Sequence, residues 1–224
     1  MIKDKLKVRE IIAKRVAMEL HDGDIVNLGI GIPTLVGNYL PQDVHIFLQS
    51  ENGILGMGGT PKSGYENKDM NNAGGSPASF LPGAAAFDSA TSFGLIRGGH
   101  VAATVLGALQ VDEEGHLANW MIPGKLIPGM GGAMDLVTGA KKVIVSMTHT
   151  KKDGSAKIIP KCTLPLTSIR KIDLIVTEAA VIEVTENGLV LKELGPETSL
   201  EEIINATTAK LIVSDDLKQM PITV

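Results

Sequence analysis

Residues 101–106 (VAATVL) and 142–147 (KVIVSM) are short β-rich runs with almost no apolar–polar alternation. A strand with one wet face alternates, whereas a run that is apolar on both faces needs cover on both, as in a parallel sheet held between helices. Helical signals do punctuate the strands. Val8, Ile11, Ile12, Val16 and Leu20 recur at helical spacing with Arg9, Glu10, Lys14, Arg15 and Glu19 opposite, and Asp22-Gly23 supplies a stop. Residues 24–28 then read as a strand. It runs into Gly29-Ile30-Gly31-Ile32-Pro33-Thr34, where the proline suits the first turn of a helix.

Residues 45–49 form a second strand candidate that leaves through Ser50-Glu51-Asn52-Gly53 into a flexible glycine stretch, Gly56-Met57-Gly58-Gly59. Residues 62–79 are polar and read as a long surface excursion, a kind of loop that is usually functional or mobile. Residues 120–133 carry too many glycines and prolines for a regular element, so this segment offers backbone rather than side chains. Further on, 174–177, 181–184 and 189–192 are β-rich, with Asn187-Gly188 as a hairpin turn. Ser199-Leu200-Glu201-Glu202 opens a helix with a capping box. With no repeat or linker to divide residues 1–224, the expected architecture is one α/β domain with a single open, mostly parallel sheet flanked by helices. Ligands in such sheets bind beyond the carboxyl ends of the strands.

Composition excludes several functions. Aromatic residues make up 3%, too few for the stacking platforms of single-strand binders. A net charge of -4 gives no general field for phosphate backbones or anionic membranes, so neither nucleic acid nor membrane is an expected partner. Cys162 is the one cysteine, which rules out an internal disulfide or a cysteine zinc cluster. The five histidines, His21, His45, His100, His116 and His149, lack metal-ligand spacing, so no metal site is expected and each reads as a surface or hydrogen-bonded residue. No apolar segment follows the first residues, and the longest apolar and small run, 101–109, is far short of a bilayer span. A cytoplasmic location is the expectation.

Gly29-x-Gly31-x-x-Thr34 after a strand resembles part of a dinucleotide fingerprint, with Glu51 twenty positions beyond Gly31. Thr34 replaces the third glycine, and a structural turn is the simpler reading. Glu51 is more informative: it stands between an apolar strand and a glycine turn, where a ligand can reach it. Local chemistry alone leaves it either a solvated carboxylate or a reactive one.

Leu48-Gln49-Ser50-Glu51-Asn52-Gly53 resembles in full the active-site motif of the β subunit of family I CoA-transferases. The resemblance extends over nearly the whole chain, through Asn72-Ala73-Gly74, Leu81-Pro82-Gly83, Ile96-Arg97-Gly98-Gly99-His100, Leu106-Gly107-Ala108-Leu109-Gln110-Val111, Ala118-Asn119-Trp120, Pro123-Gly124-Lys125, Gly129-Met130-Gly131-Gly132-Ala133-Met134-Asp135-Leu136-Val137 and Lys161-Cys162-Thr163-Leu164-Pro165-Leu166-Thr167. It implies the CoA-transferase, ribose-phosphate-isomerase-like fold. It also implies Glu51 as covalent nucleophile, a backbone amide at Gly132 and less directly Ala133 as oxyanion donor, and CoA thioester as substrate with no cofactor. Ser50, Asn52 and Gly53 are expected to support the loop, and Ile54, Leu55 and Met57 either to desolvate the carboxylate or to serve as ordinary core. Lys125 reads as a phosphate contact or a solvated lysine. Because the family's CoA-binding glycine segment and a side-chain amide of its oxyanion hole lie in its α subunit, the resemblance implies an α partner in an α2β2 assembly, acting on acetoacetyl-CoA with acetate or butyrate. The competing readings are an acyl-CoA hydrolase using Glu51, a noncatalytic interaction subunit and, last, a nicotinamide enzyme.

Overall fold

The computed structural model describes residue 2 and residues 4–124 and 129–222. Its frame is a ten-stranded sheet. The centre is parallel: β10 (Leu174–Val176), β8 (Lys142–Ser146), β5 (Ala103–Leu106), β1 (Ile25–Leu28) and β2 (Phe47–Ser50) all run the same way. Antiparallel strands extend it on both sides, β11 (Ala180–Thr185) and β12 (Gly188–Leu194) on one, β3 (Ile54–Met57) and β4 (Phe80–Ala86) on the other. The outermost strand, β13 (Leu211–Gln219), returns parallel to β12. Across the sheet the order is β13-β12-β11-β10-β8-β5-β1-β2-β3-β4.

The apolar runs at 101–106 and 142–147 are central strands covered on both faces, as their lack of alternation requires. Val143 and Val145 point into one core, with Ile96, Leu136, Val137, Ile175 and Ile203. Ile144 between them points into the other, with Val26, Val105, Val176 and the helix α1 (Lys5–Ala17) through Val8, Ile11, Ile12 and Val16. The first core is closed by α2 (Ser89–Arg97), α3 (Ala133–Gly139) and α4 (Leu200–Ala206), together with a small sheet of β7 (Leu117–Ala118), β6 (Gln110–Asp112) and β9 (Ile158–Ile159). The capping box at Ser199 and Glu202 forms as expected. No helix among the described residues is long and apolar enough to cross a membrane.

The helix expected after Gly31 forms as a 3-10 helix, Pro33–Tyr39. Two local expectations are corrected. The hairpin turn is Glu186-Asn187, one residue earlier than expected, because Gly188 already pairs with Thr185 as the first residue of β12. The stretch from Gly56 is not a free loop either. Gly56 and Met57 end β3, where Gly56 has φ +82° and a Cβ there would stand 3.0 Å from Ala84, at a shift of register between β3 and β4. What reads in sequence as flexibility is a strand irregularity that only glycine fits.

Candidate active site

Glu51 sits in the tight turn that joins β2 to β3, beyond the carboxyl end of β2 and therefore on the ligand side of the parallel centre. The turn closes through the Gly53 N–H donating to the Ser50 carbonyl at 2.9 Å. Gly53 has φ +118°, and a Cβ there would fall 1.9 Å from the Phe87 carbonyl oxygen, so no other residue fits without moving backbone. The same Phe87 donates its N–H to the Gly53 carbonyl at 2.9 Å, which clamps the turn to the end of β4.

Ser50 and Asn52 act on the long polar excursion rather than on Glu51. The buried Ser50 hydroxyl accepts from the Ala73 N–H at 2.9 Å, and the Asn52 amide donates to the Asn71 carbonyl at 2.7 Å. The excursion is thereby fastened beside Glu51. Asn72 folds its tip by accepting from the N–H groups of Gly74 and Ser76 at 2.9 and 3.0 Å.

Two groups approach the Glu51 carboxylate itself. Gly132, at the entry to α3, lies so close that a Cβ there would stand 3.0 Å from Glu51 Cγ and 3.3 Å from Oε1. This brings together two positions 81 residues apart that sequence had paired only by resemblance. The Ala133 N–H donates to the Met130 carbonyl at 3.3 Å and so closes the turn that presents Gly132. On the other side, Asn27 Nδ2 donates to Glu51 Oε2 at 3.1 Å. Sequence reading overlooked Asn27, although a signal was present: an amide side chain inside the apolar strand Ile25–Leu28 must find partners once buried.

The remaining expected residues are placed elsewhere. Ile54 is core, whereas Leu55 and Met57 line an apolar groove of about 560 Å³ with Phe47, Leu48, Leu81 and Pro82, and Glu51 is not part of that lining. Lys125 lies outside the described residues. The Gly29 turn has a structural cause, since its N–H donates to the Val105 carbonyl at 2.8 Å and a Cβ there would stand 3.0 Å from the same oxygen. Cys162 is no rival nucleophile: burial, then the neighbouring Asp112, pushes its thiol up to about 12. His149 is wholly buried between the hydroxyls of Thr177 and Thr207 at 3.0 and 2.9 Å; burial, then the charge of Lys157, lowers it to about 4. Among the described residues, no group of three His, Cys, Asp or Glu is placed to hold a metal ion.

The arrangement places a carboxylate at a strand end on the ligand side of the sheet, flanked by an amide donor and by close backbone. The family described as Coenzyme A transferase matches residues 9–206. The β subunit of acetate CoA-transferase from Haemophilus influenzae is 59% identical over 218 residues, which cover 97% of each chain. One of the subunits of succinyl-CoA:3-ketoacid coenzyme A transferase from Helicobacter pylori is 49% identical over 206 residues, covering 92% of this chain and 99% of its own. An acyl-CoA transferase from Escherichia coli O157:H7, solved as the apoenzyme, shares the fold at a TM-score of 0.75 and 24% identity, over 98% of this chain and 44% of its own. The chain belongs to the coenzyme A transferase family, as a β-type subunit.

Proposed function

We propose that this chain transfers CoA between an acyl-CoA and a short-chain carboxylic acid through a thioester on Glu51, in complex with an α-type subunit. The observation that carries the reading is the position of Glu51, with Gly132 so close to its side chain that a Cβ would press on Cγ, and the Asn27 amide on Oε2. Exchange of CoA between acids must conserve the thioester, so the acyl group has to be held covalently rather than released to water. The Glu51 carboxylate attacks the acyl-CoA carbonyl; the C–S bond breaks and a glutamyl anhydride and CoA thiolate result. The thiolate then attacks the Glu51 carbonyl carbon, and the anhydride C–O bond breaks to release the first acid as carboxylate. The acceptor carboxylate runs the same steps in reverse. No net proton is taken up.

Attack on the Glu51 carbonyl puts negative charge on one of its own oxygens. The Asn27 N–H lies on Oε2 to receive it, and by the family resemblance we assign the Gly132 N–H as the backbone donor, with Ala133 the lesser candidate because its amide is engaged with Met130. In other acyl-transfer sites one such donor contributes about 3 kcal/mol. CoA enters as substrate, and no further cofactor or metal is needed for any step. The relatives are themselves named as subunits, which supports an α partner, and we take the two to form an α2β2 complex that completes the CoA site. Those relatives are named for acetate and for succinyl-CoA with a 3-ketoacid, and acetoacetyl-CoA with acetate or butyrate is the exchange we assign here.

Peptide mass mapping of the complex after mixing with acetoacetyl-CoA tests the mechanism. A CoA adduct less one water on the peptide containing Glu51 is expected, and Glu51→Gln should lose both the adduct and the exchange. Repeated turnover to free acid without an acceptor acid, beyond the single release that loads Glu51 with CoA, or exchange undiminished in Glu51→Gln, rejects it.

A further inference from the structure

Asn27 is an amide, and an amide turned by half a revolution would present oxygen rather than N–H to the Glu51 carboxylate. What prevents this lies one layer beneath the site. Gln49 and Asn27 are register partners on adjacent parallel strands and point to the same face, where both are buried to within 2% exposure. Asn27 Nδ2 shares its two hydrogens among three acceptors, Gln49 Oε1 at 2.8 Å, its shortest contact, Glu51 Oε2 at 3.1 Å and the Gln49 carbonyl at 3.2 Å. Gln49 is itself oriented: its Nε2 donates at 2.9 Å to Ser92 Oγ on α2, and the Ser92 hydroxyl donates to the Ser50 carbonyl at 3.4 Å. A hydroxyl whose hydrogen goes to a carbonyl offers only lone pairs to Gln49, so Gln49 must turn its nitrogen toward Ser92 and its oxygen toward Asn27. Thr104, the other register partner of Asn27, has a buried hydroxyl without a hydrogen bond. It gives the amide no second support.

We propose that Gln49 is a positioning residue for CoA transfer: anchored by Ser92, it holds the Asn27 amide with an N–H on the Glu51 carboxylate. This rests on the reading of Glu51 as nucleophile. The side chain of Gln49 does not touch the carboxylate and acts through Asn27. The Gln49 carbonyl still holds the same nitrogen when the side chain is removed, so the loss should be partial.

The test measures acetoacetyl-CoA:acetate exchange by the α/β complex carrying Gln49→Leu, Asn27→Ala, both together, Ser92→Ala, or Glu51→Gln. Gln49→Leu should lower kcat about 10-fold with KM little changed, the mark of an interaction made in the transition state. Ser92→Ala, the milder change if Gln49→Leu folds poorly, should lower kcat about 3-fold. In the Asn27→Ala background the Gln49→Leu effect should vanish, because residues that act through one another are not additive. A Gln49→Leu loss that persists undiminished beside Asn27→Ala overturns the proposal, as does wild-type kcat in both Gln49→Leu and Ser92→Ala while Glu51→Gln is inactive. Full exchange by Glu51→Gln overturns the nucleophile assignment itself and this inference with it.

Discussion

Two parts of the sheet, a closed wing formed by its parallel centre and an open wing at the β3–β4 edge, differ in how completely they are covered. In β5, β8 and β10 all but one of the residues are fully buried, between α1 on one face and α2, α3 and α4 on the other. In β4, at the opposite end, no residue is fully buried, and Leu81 is 51% exposed. Glu51 belongs to the open wing, in the turn before β3, yet its amide partner Asn27 and the residues that orient it lie in the closed one. The covered strands thus supply rigidity and the uncovered ones supply access. The nucleophile proposed at Glu51, which would meet a large thioester, stands at the boundary between the two.

Substitutions in the two wings should separate stability from activity. The largest effect is expected from Ile144→Ala, which empties a fully buried site facing α1 and should cost about 2 to 5 kcal/mol in urea unfolding while the folded fraction keeps its kcat. Loss of activity in proportion to cavity size would break the separation. Next, the closed wing carries an acid-sensitive point. His149 is held neutral to about 4, below its ordinary 6.5, so the unfolded chain binds the extra proton first and its stabilising contribution is lost as pH falls from 6.5 toward 4. Over that window the difference between wild type and His149→Gln should reach about 3 kcal/mol, and the paired comparison discounts the buried Glu178, whose raised carboxyl acts in the opposite sense. A pH-independent difference in Tm contradicts this.

On the open side, Gly132→Ala should lower kcat about 100-fold, or about 2.7 kcal/mol, by pressing a methyl group on Glu51, with a Tm near that of the wild type. Unchanged turnover would show that Glu51 has room to move. Smallest of all, Leu81→Ala in β4 should change unfolding free energy by less than about 0.5 kcal/mol in the isolated chain, since half its surface is already wet. A cost as large as that of Ile144→Ala would mean that the open wing is covered after all.

Much of this was legible beforehand, for identifiable reasons. Unbroken apolar runs announced the central strands, and the spacing of Val8, Ile11, Ile12 and Val16 announced α1, because burial on a given face leaves a period in the chain. The capping box at Ser199 depends on neighbours three residues apart and was equally plain. Strand β4, by contrast, is FLPGAAA with exposed residues and no period, and it exists only because β3 offers it an edge. The bulge at Gly56 was read as slack for the same reason: a local signal of freedom does not tell whether a neighbour exploits it.

The sequence by itself determined the layered α/β class and, by resemblance, singled out Glu51 and Gly132 as candidates. Only the tertiary structure brought Gly132 against the Glu51 side chain, put Asn27 on Oε2, and revealed Gln49 and Ser92 beneath it. Those contacts join positions from 22 to 81 residues apart. Periodicity and turn chemistry act within a few residues, so they write elements into a sequence legibly. Hydrogen bonds between side chains on neighbouring strands depend on register, and register is decided only when the whole sheet packs.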